Sequence, residues 1–305
     1  MISIIVCSRL QKIPNCLKQN IEDTIGDVSY EIIWIHNKNN QYSIYEAYDL
    51  ATHKAHFDYL CFMHEDILFH TKDWGIKILD LMQDAENGLL GVIGGHHLGL
   101  TAHCWAYSQI VRGQILQGTT TRRGRYKTNH IKLFNQMKLG NEVVTVDGLW
   151  MCIKKSLFDN QQIKWDSEWY KTTRFHFYDM DICMQVNMAG YKVRVVDDLL
   201  IEHTSAGYYD EDFIEASRLF HKKWDDYLPI QRPCNMPTEC QAFIRDVQLN
   251  AINNNYIKNS RMRNLMINSP FRFLCTYISW LLFKRSSTPK VKGIEAFCID
   301  ADSLL

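Results

Sequence analysis

The chain has 305 residues, 46% of them hydrophobic, with 34 Lys+Arg against 34 Asp+Glu and a formal net charge of zero. That length admits one large domain or a domain with a substantial appendage, and the hydrophobic share admits a sizeable core. Balanced charge argues against a dedicated nucleic-acid binder, which carries a basic excess.

The opening "SIIVCS" is rich in β-branched residues and breaks at a polar turn, which predicts a strand. Residues 14–25 read as a helix. "YEIIWIHN" (30–37) is a second strand ending in polar residues. "SIYEAYDLATHKAH" follows with Ile44, Ala47, Tyr48, Ala51 and Ala55 on one helical side. "YLCFM" (59–63) is a third strand, "DWGIKILDLMQDA" a helix with Asp73 at its N-cap, and "LLGVIGG" a fourth strand. Strand and helix alternate over roughly the first 95 residues, so an α/β fold is expected, with a mostly parallel, Rossmann-like central sheet flanked by helices.

Further on, "GTTTRRGRYKTNH" (118–130) is polar, basic and punctuated by glycine; it reads either as a mobile loop over a site or as a solvated insertion. "EVVTVDGLWMCIKK" resumes strand character and breaks at Asp147-Gly148. Residues 178–189 predict a helix, 191–196 a strand, and 199–202 an extended piece ending at His203. From 208 onward the pattern turns helical, with Phe213, Ala216, Phe220, Trp224 and Tyr227 at helical spacing. A boundary near 207 therefore divides a sheet domain, 1–207, from a helical C-terminal region, 208–305.

The ten cysteines are scattered, with no CxxC pair, and several lie in apolar runs; they read as reduced thiols in a cytoplasmic protein. The N-terminus "MISIIVCSRL" does not have the pattern of a signal peptide. No run reaches the ~18–20 apolar residues that span a bilayer. "FRFLCTYISWLLFKR" (271–285) leaves two readings: a core or docking helix, or an interfacial helix giving peripheral membrane contact.

Ligands of parallel sheets gather beyond the carboxyl ends of the strands. Ser8-Arg9, the stretch from Asn37 to Asn40, and His64-Glu65-Asp66 all fall there. Two adjacent carboxylates at the end of a buried strand repel each other and cost free energy when desolvated, a cost that a cation removes. Asp147, Asp179, Asp181, Glu202 and His203 also flank apolar runs and belong near the sheet rim. A magnesium or manganese ion takes hard oxygen ligands, and manganese also accepts imidazole. Asp66 with His203 would hold such an ion, with a nucleotide diphosphate completing its shell. Taken singly, each residue has a blander reading: a strand-end Asp as a turn or cap, His203 as a structural histidine, Asp179 and Asp181 as the acidic first turn of a helix.

In their order along the chain, "SIIVCSR", "FMHEDI", "VDGLWMCIKKSLF", "FHFYDMDICMQVNMAGYKVRVVDD" and "IEHTSAG" resemble the motifs of family 2 glycosyltransferases of the GT-A fold. The resemblance covers residues 1–207, and its HED triplet is similar to the histidine-bearing form of the metal motif in a bacterial branch. It implies a GT-A domain that transfers sugar from a nucleotide-diphosphate donor, UDP-sugar being the commonest, to a hydroxyl on a glycan, lipid-linked or protein acceptor, in cell-surface polysaccharide synthesis. It further implies Mn²⁺ or Mg²⁺ held by His64, Asp66 and His203, and donor contacts from Ser8, Arg9, Asn37, Glu65, Asp66, Asp147 and Gly148. Asp179 is the implied general base, with Asp181 as the alternative, in a single displacement with inversion. Trp150 or Trp169 is a candidate stacking surface for a sugar, with buried core the competing reading for Trp150.

The sequence departs from the family pattern at Tyr178, where Glu is usual, and at Gln185, where Arg is usual. These departures keep a catalytically inactive binding protein on the same fold in view. A nucleotidyltransferase is a further alternative, although "CSRLQKIPN" lacks a glycine-rich phosphate loop. A metallohydrolase built on His64, His70 and His203 lacks the HxH or HExxH spacing.

Overall fold

The computed structural model describes residues 1–98, 105, 108, 111–120, 124–133, 140–205, 211–228 and 230–231. The chain runs through β1 (Ile2–Ser8), α1 (Asn15–Thr24), β2 (Tyr30–His36), α2 (Ile44–Lys54), β3 (Tyr59–Met63), β4 (Ile67–Phe69), α3 (Trp74–Gln83), β5 (Asn87–Gly91), β6 (Ile93–Gly95) and β7 (His97–Leu98). It continues with β8 (Val111–Thr120), β9 (Tyr126–Leu133), β10 (Glu142–Val143), β11 (Thr145–Val146), β12 (Trp150–Lys154), α4 (Lys155–Asp159) and α5 (Tyr178–Met188). The last described elements are β13 (Lys192–Val195), β14 (Ile201–His203), α6 (Glu211–Trp224) and β15 (Ile230–Gln231).

The central sheet has seven strands in the order β10-β13-β5-β12-β3-β1-β2. Strands β1, β2, β3, β5 and β13 point one way, and β10 and β12 the other. The α/β class expected from the alternation, a mostly parallel central sheet flanked by helices, is the one observed. A side-chain period of two sends Ile2, Ile4 and Val6 of β1 into one core and Ile5 into the other, on the opposite face. Strand β3 repeats the pattern, with Leu60 and Phe62 facing α2 and α5 while Cys61 and Met63 face the other way. Helix α2 starts on a capping box in which Ser43 Oγ accepts the Glu46 amide and Glu46 Oε2 accepts the Ser43 amide.

A second sheet, β11-β6-β8-β14-β4 with β9 on β8, leans on the first. Its existence changes two expectations. "LLGVIGG" is two strands in different sheets, because the chain crosses over at Val92. Its glycines admit β11: a Cβ on Gly94 would lie 2.2 Å from the Thr145 carbonyl oxygen, and one on Gly91 2.6 Å from Val146 Cβ. Within 118–130, most residues form the β8–β9 hairpin, paired from Thr120 opposite Tyr126 to Gly113 opposite Leu133, instead of a loop. Asp73 does stand before α3, but in the left-handed region (φ 56°) and with no capping bond from its side chain.

Helix α6 shares the core of the preceding residues. Ala216, Phe220, Trp224 and Leu228 are buried in the same cluster as Tyr45, Tyr170 and Met180. Packing therefore continues past residue 207, where the sequence pattern drew a boundary. The stretch 271–285 lies outside the described residues, and among the described residues no helix is long and apolar enough to cross a membrane.

Candidate active site

The turn His64-Glu65-Asp66 joins β3 of the central sheet to β4 of the second. The amide of His64 bonds the Leu149 carbonyl at 3.0 Å, which ties the turn to the Asp147-Gly148 loop before β12. Strand β4 pairs antiparallel with β14, placing His203 opposite Ile67, and the Thr204 amide donates to the Asp66 carbonyl at 3.0 Å. Sheet pairing thus brings His203 to the end of β3, beside His64, 139 residues earlier in the chain.

There His64 Nδ1 and His203 Nε2 stand 3.4 Å apart, and Asp66 Oδ1 lies 4.0 Å from the first and 3.6 Å from the second. Among the described residues this is the one group of three or more side chains with metal-ligand spacing. The point equidistant from the three atoms lies about 2.1 Å from each, matching the ~2.0–2.2 Å of nitrogen and oxygen bonds to small divalent ions. Burial and the neighbouring His203 hold the His64 imidazole below its ordinary pKa, so it is neutral and has a lone pair to offer. Glu65 is raised by burial and by Asp66, and its Oε2 is enclosed without a hydrogen-bond partner. The donor set of two imidazoles and a carboxylate fits a divalent cation at this turn.

Asp179 is the second residue of α5. Its Oδ2 accepts the Gly148 amide at 3.1 Å and its Oδ1 the Met180 amide at 2.8 Å. Burial and the nearby Asp147 push its carboxyl up to about 7, against the pull of those amides. A carboxyl balanced there suits proton abstraction near neutral pH. Asp147 is held by the Leu149 amide at 2.8 Å and by Trp105 Nε1 at 2.6 Å.

Asp181 points elsewhere. It is 1% exposed and accepts bonds from Tyr170 Oη (3.1 Å), Trp224 Nε1 (2.8 Å), Gln185 Nε2 (2.7 Å) and Lys223 Nζ (3.0 Å). With both oxygens saturated it fastens α6 to α5, and it has no lone pair to spare for a substrate. Gln185, which departs from the family pattern, also ties α5 to Lys164 through both amide atoms. Asn37 is likewise occupied: its Nδ2 donates to the Tyr42 carbonyl and its Oδ1 accepts the Tyr42 amide, closing the β2–α2 turn. Buried and bonded twice to one residue, it shapes the turn beside the site instead of reaching into it. Ser8 is buried and its Oγ accepts the Leu10 amide at 2.8 Å, while Arg9 is exposed at the rim.

Trp150 is fully buried edge-on to Trp74, so it is core, and Trp169 donates its indole N–H to the Leu219 carbonyl. Burial pushes the thiols of Cys7 and Cys183 up to about 11 and 12, so neither is a nucleophile at neutral pH. Sequence reasoning missed two members of the neighbourhood. Tyr178 Oη lies 2.8 Å from His64 Nε2, and Tyr126 Oη donates to Glu202 Oε1 at 2.5 Å while His70 takes the other oxygen at 2.8 Å. The only signal for the first was that Tyr178 replaces an expected acid; nothing in the sequence pointed to the second.

Over residues 3–219 the chain matches the family described as "Glycosyltransferase like family", and it belongs to that family. No curated protein matches it. Among solved structures it is similar to S. aureus TarS 1-349 (13% identity, 92% of this chain and 78% of that one, TM-score 0.45). It is also similar to the mannosyltransferase PcManGT from Pyrobaculum calidifontis, solved with GDP-Man and Mn²⁺ (9% identity, 99% and 86% covered, TM-score 0.43). A third is GalNAc-T7 with UDP, GalNAc and Mn²⁺ (9% identity, 74% and 49% covered, TM-score 0.43).

Proposed function

We propose that the protein transfers a sugar from a nucleotide-diphosphate donor to an acceptor hydroxyl, with inversion, using a divalent cation held by His64, Asp66 and His203. The observation that carries this reading is the convergence of those three donor atoms, linked through Tyr178 and the Gly148 loop to a carboxyl, that of Asp179, poised near neutrality. Glycosyl transfer leaves negative charge on the departing diphosphate, and a bound cation stabilises that charge where it develops.

The chain's own residues supply the rest. Asp179 takes the proton of the attacking hydroxyl. The Gly148 and Met180 amides fix its orientation, and burial beside Asp147 sets its basicity. Ser8, Arg9 and Glu65 line the strand ends where the nucleoside and diphosphate would lie, with Asn37 bracing the adjacent turn. Asp147 and Gly148 stand where the donor sugar or the acceptor would meet the base. Asp181 holds α5 in place through α6. Two imidazoles in the donor set favour Mn²⁺ over Mg²⁺, which keeps to oxygen ligands. Gln185 and Tyr178, the departures that kept a non-catalytic reading open, are both engaged in holding this site together. A cytoplasmic role in cell-surface glycan synthesis, with UDP-sugar as donor, belongs to the same proposal.

Incubating the protein with a panel of nucleotide-diphosphate sugars and Mn²⁺ tests it. Release of nucleoside diphosphate that is lost with EDTA and in Asp66→Ala is expected. Release that is indifferent to both would refute the metal-assisted reading.

A further inference from the structure

Tyr178 is the first residue of α5, and the Cα–Cβ bonds of a helix tilt toward its N-terminus. Its ring therefore leaves the helix backward, toward the HED turn, and its hydroxyl stops 2.8 Å from His64 Nε2. The ring packs edge-on against Tyr48, with centroids 5.7 Å apart. On its other side is Gly148, where a Cβ would lie 2.2 Å from the phenol oxygen and 2.5 Å from the carbon bearing it. Only glycine at 148 leaves the phenol where it is. The geometry couples three segments far apart in sequence: the turn after β3, the loop before β12 and the start of α5.

We infer that Tyr178 is a positioning residue for the metal ligand His64, holding the imidazole so that Nδ1 faces Asp66 and His203 with its lone pair free. The inference rests on the metal-assisted reading above. When His64 Nε2–H donates to the phenol oxygen, the proton is on the far nitrogen and Nδ1 is left as the ligand. The partner of a ligating histidine's second nitrogen fixes both its tautomer and its ring angle. A phenol does this without adding charge. A carboxylate at 178 would be a further anion beside Asp147 and Asp179 in a buried region, where like charges disfavour one another. The tyrosine at this place in the chain therefore matches the histidine at position 64: each supplies what the other needs.

Titrating the full-length protein with Mn²⁺ alone, and following free Mn²⁺ by electron paramagnetic resonance, reads the inference without an activity assay. Tyr178→Phe keeps the ring and its packing and removes only the hydroxyl. Its Mn²⁺ affinity should fall ~10–100-fold, the range for lost partners of metal ligands. In a His64→Ala background the same substitution should cause no further loss, because the phenol acts through the imidazole. Mn²⁺ affinity in Tyr178→Phe equal to that of the parent overturns the inference, as does an equal loss with and without His64. A parent protein that binds no Mn²⁺ overturns the metal-assisted reading and the inference with it, so the two failures are distinguishable.

Discussion

The Gly148 amide donates to Asp179 Oδ2 at 3.1 Å, joining the loop before β12 to the N-terminus of α5. This bond aims the carboxylate while leaving the group near its protonation midpoint, since burial and Asp147 oppose the two amides that favour the anion. Asp179→Asn preserves the volume and removes the proton acceptor. Sugar transfer should fall by ~10²–10⁴, the usual share of a positioned general base, while Mn²⁺ and nucleotide binding stay near parental values. Steady-state kinetics alongside calorimetry separates the two; parental turnover in Asp179→Asn would remove Asp179 from the base role.

The raised carboxyl also sets a pH dependence. Transfer should rise with pH through about 7 as Asp179 ionises, and this limb should vanish in Asp179→Asn. Stability runs the opposite way. The folded chain holds this proton up to about 7, whereas the unfolded chain loses it near ~3.9, so the native state loses stability between those values and levels off above them. Asparagine does not titrate, so Asp179→Asn should gain on the parent across that window by up to about 4 kcal/mol, less the cost of one lost acceptor. Urea denaturation at pH 5 and pH 8 checks this; a difference between variant and parent that does not grow with pH would contradict it.

Asp181→Ala is expected to act on the fold. Lys223 keeps its bond to Asp166, but the Trp224, Tyr170 and Gln185 donors lose their acceptor in a buried place, at about 1–3 kcal/mol for each group left unpaired. The surviving folded fraction should keep substantial turnover per active site. Full stability together with abolished turnover would mean that Asp181, and not Asp179, touches the reaction.

Tyr126 pins the β8–β9 hairpin to Glu202, the neighbour of His203. Tyr126→Phe removes that bond. Hydrogen exchange should quicken in β9 and leave β1 and β3 unchanged; equal protection in both proteins would show that strand pairing alone holds the hairpin.

The central sheet was legible in the sequence because most of its strands are apolar runs or alternate faces, and α1, α2 and α3 show a clear 3.6-residue period. The second sheet was not. Strand β9 is exposed along most of its length, so "YKTNHIKL" carries no burial pattern, and β6 and β11 are too short to show any period. At the site, motif order was enough to single out His64, Asp66, Asp179 and His203. The family resemblance put Asp179 ahead of Asp181 as the base, but nothing in "YDMD" itself separates them, because roles depend on partners: one has two backbone amides and the other four side-chain donors. Asn37 looked available for the same reason, since its partner Tyr42 is five residues away and the turn that joins them has no sequence signature.

The central claim is that His64, Asp66 and His203 hold a divalent cation through which the donor diphosphate binds. Calorimetric titration of UDP and GDP into the parent protein, with Mn²⁺ and then with EDTA, reads it directly, repeated on Asp66→Ala. The account predicts measurable binding with Mn²⁺, at least ten-fold weaker binding with EDTA, about 1.4 kcal/mol, and no Mn²⁺-dependent gain in Asp66→Ala. Nucleotide binding that is equally tight with Mn²⁺, with EDTA and in Asp66→Ala would contradict it.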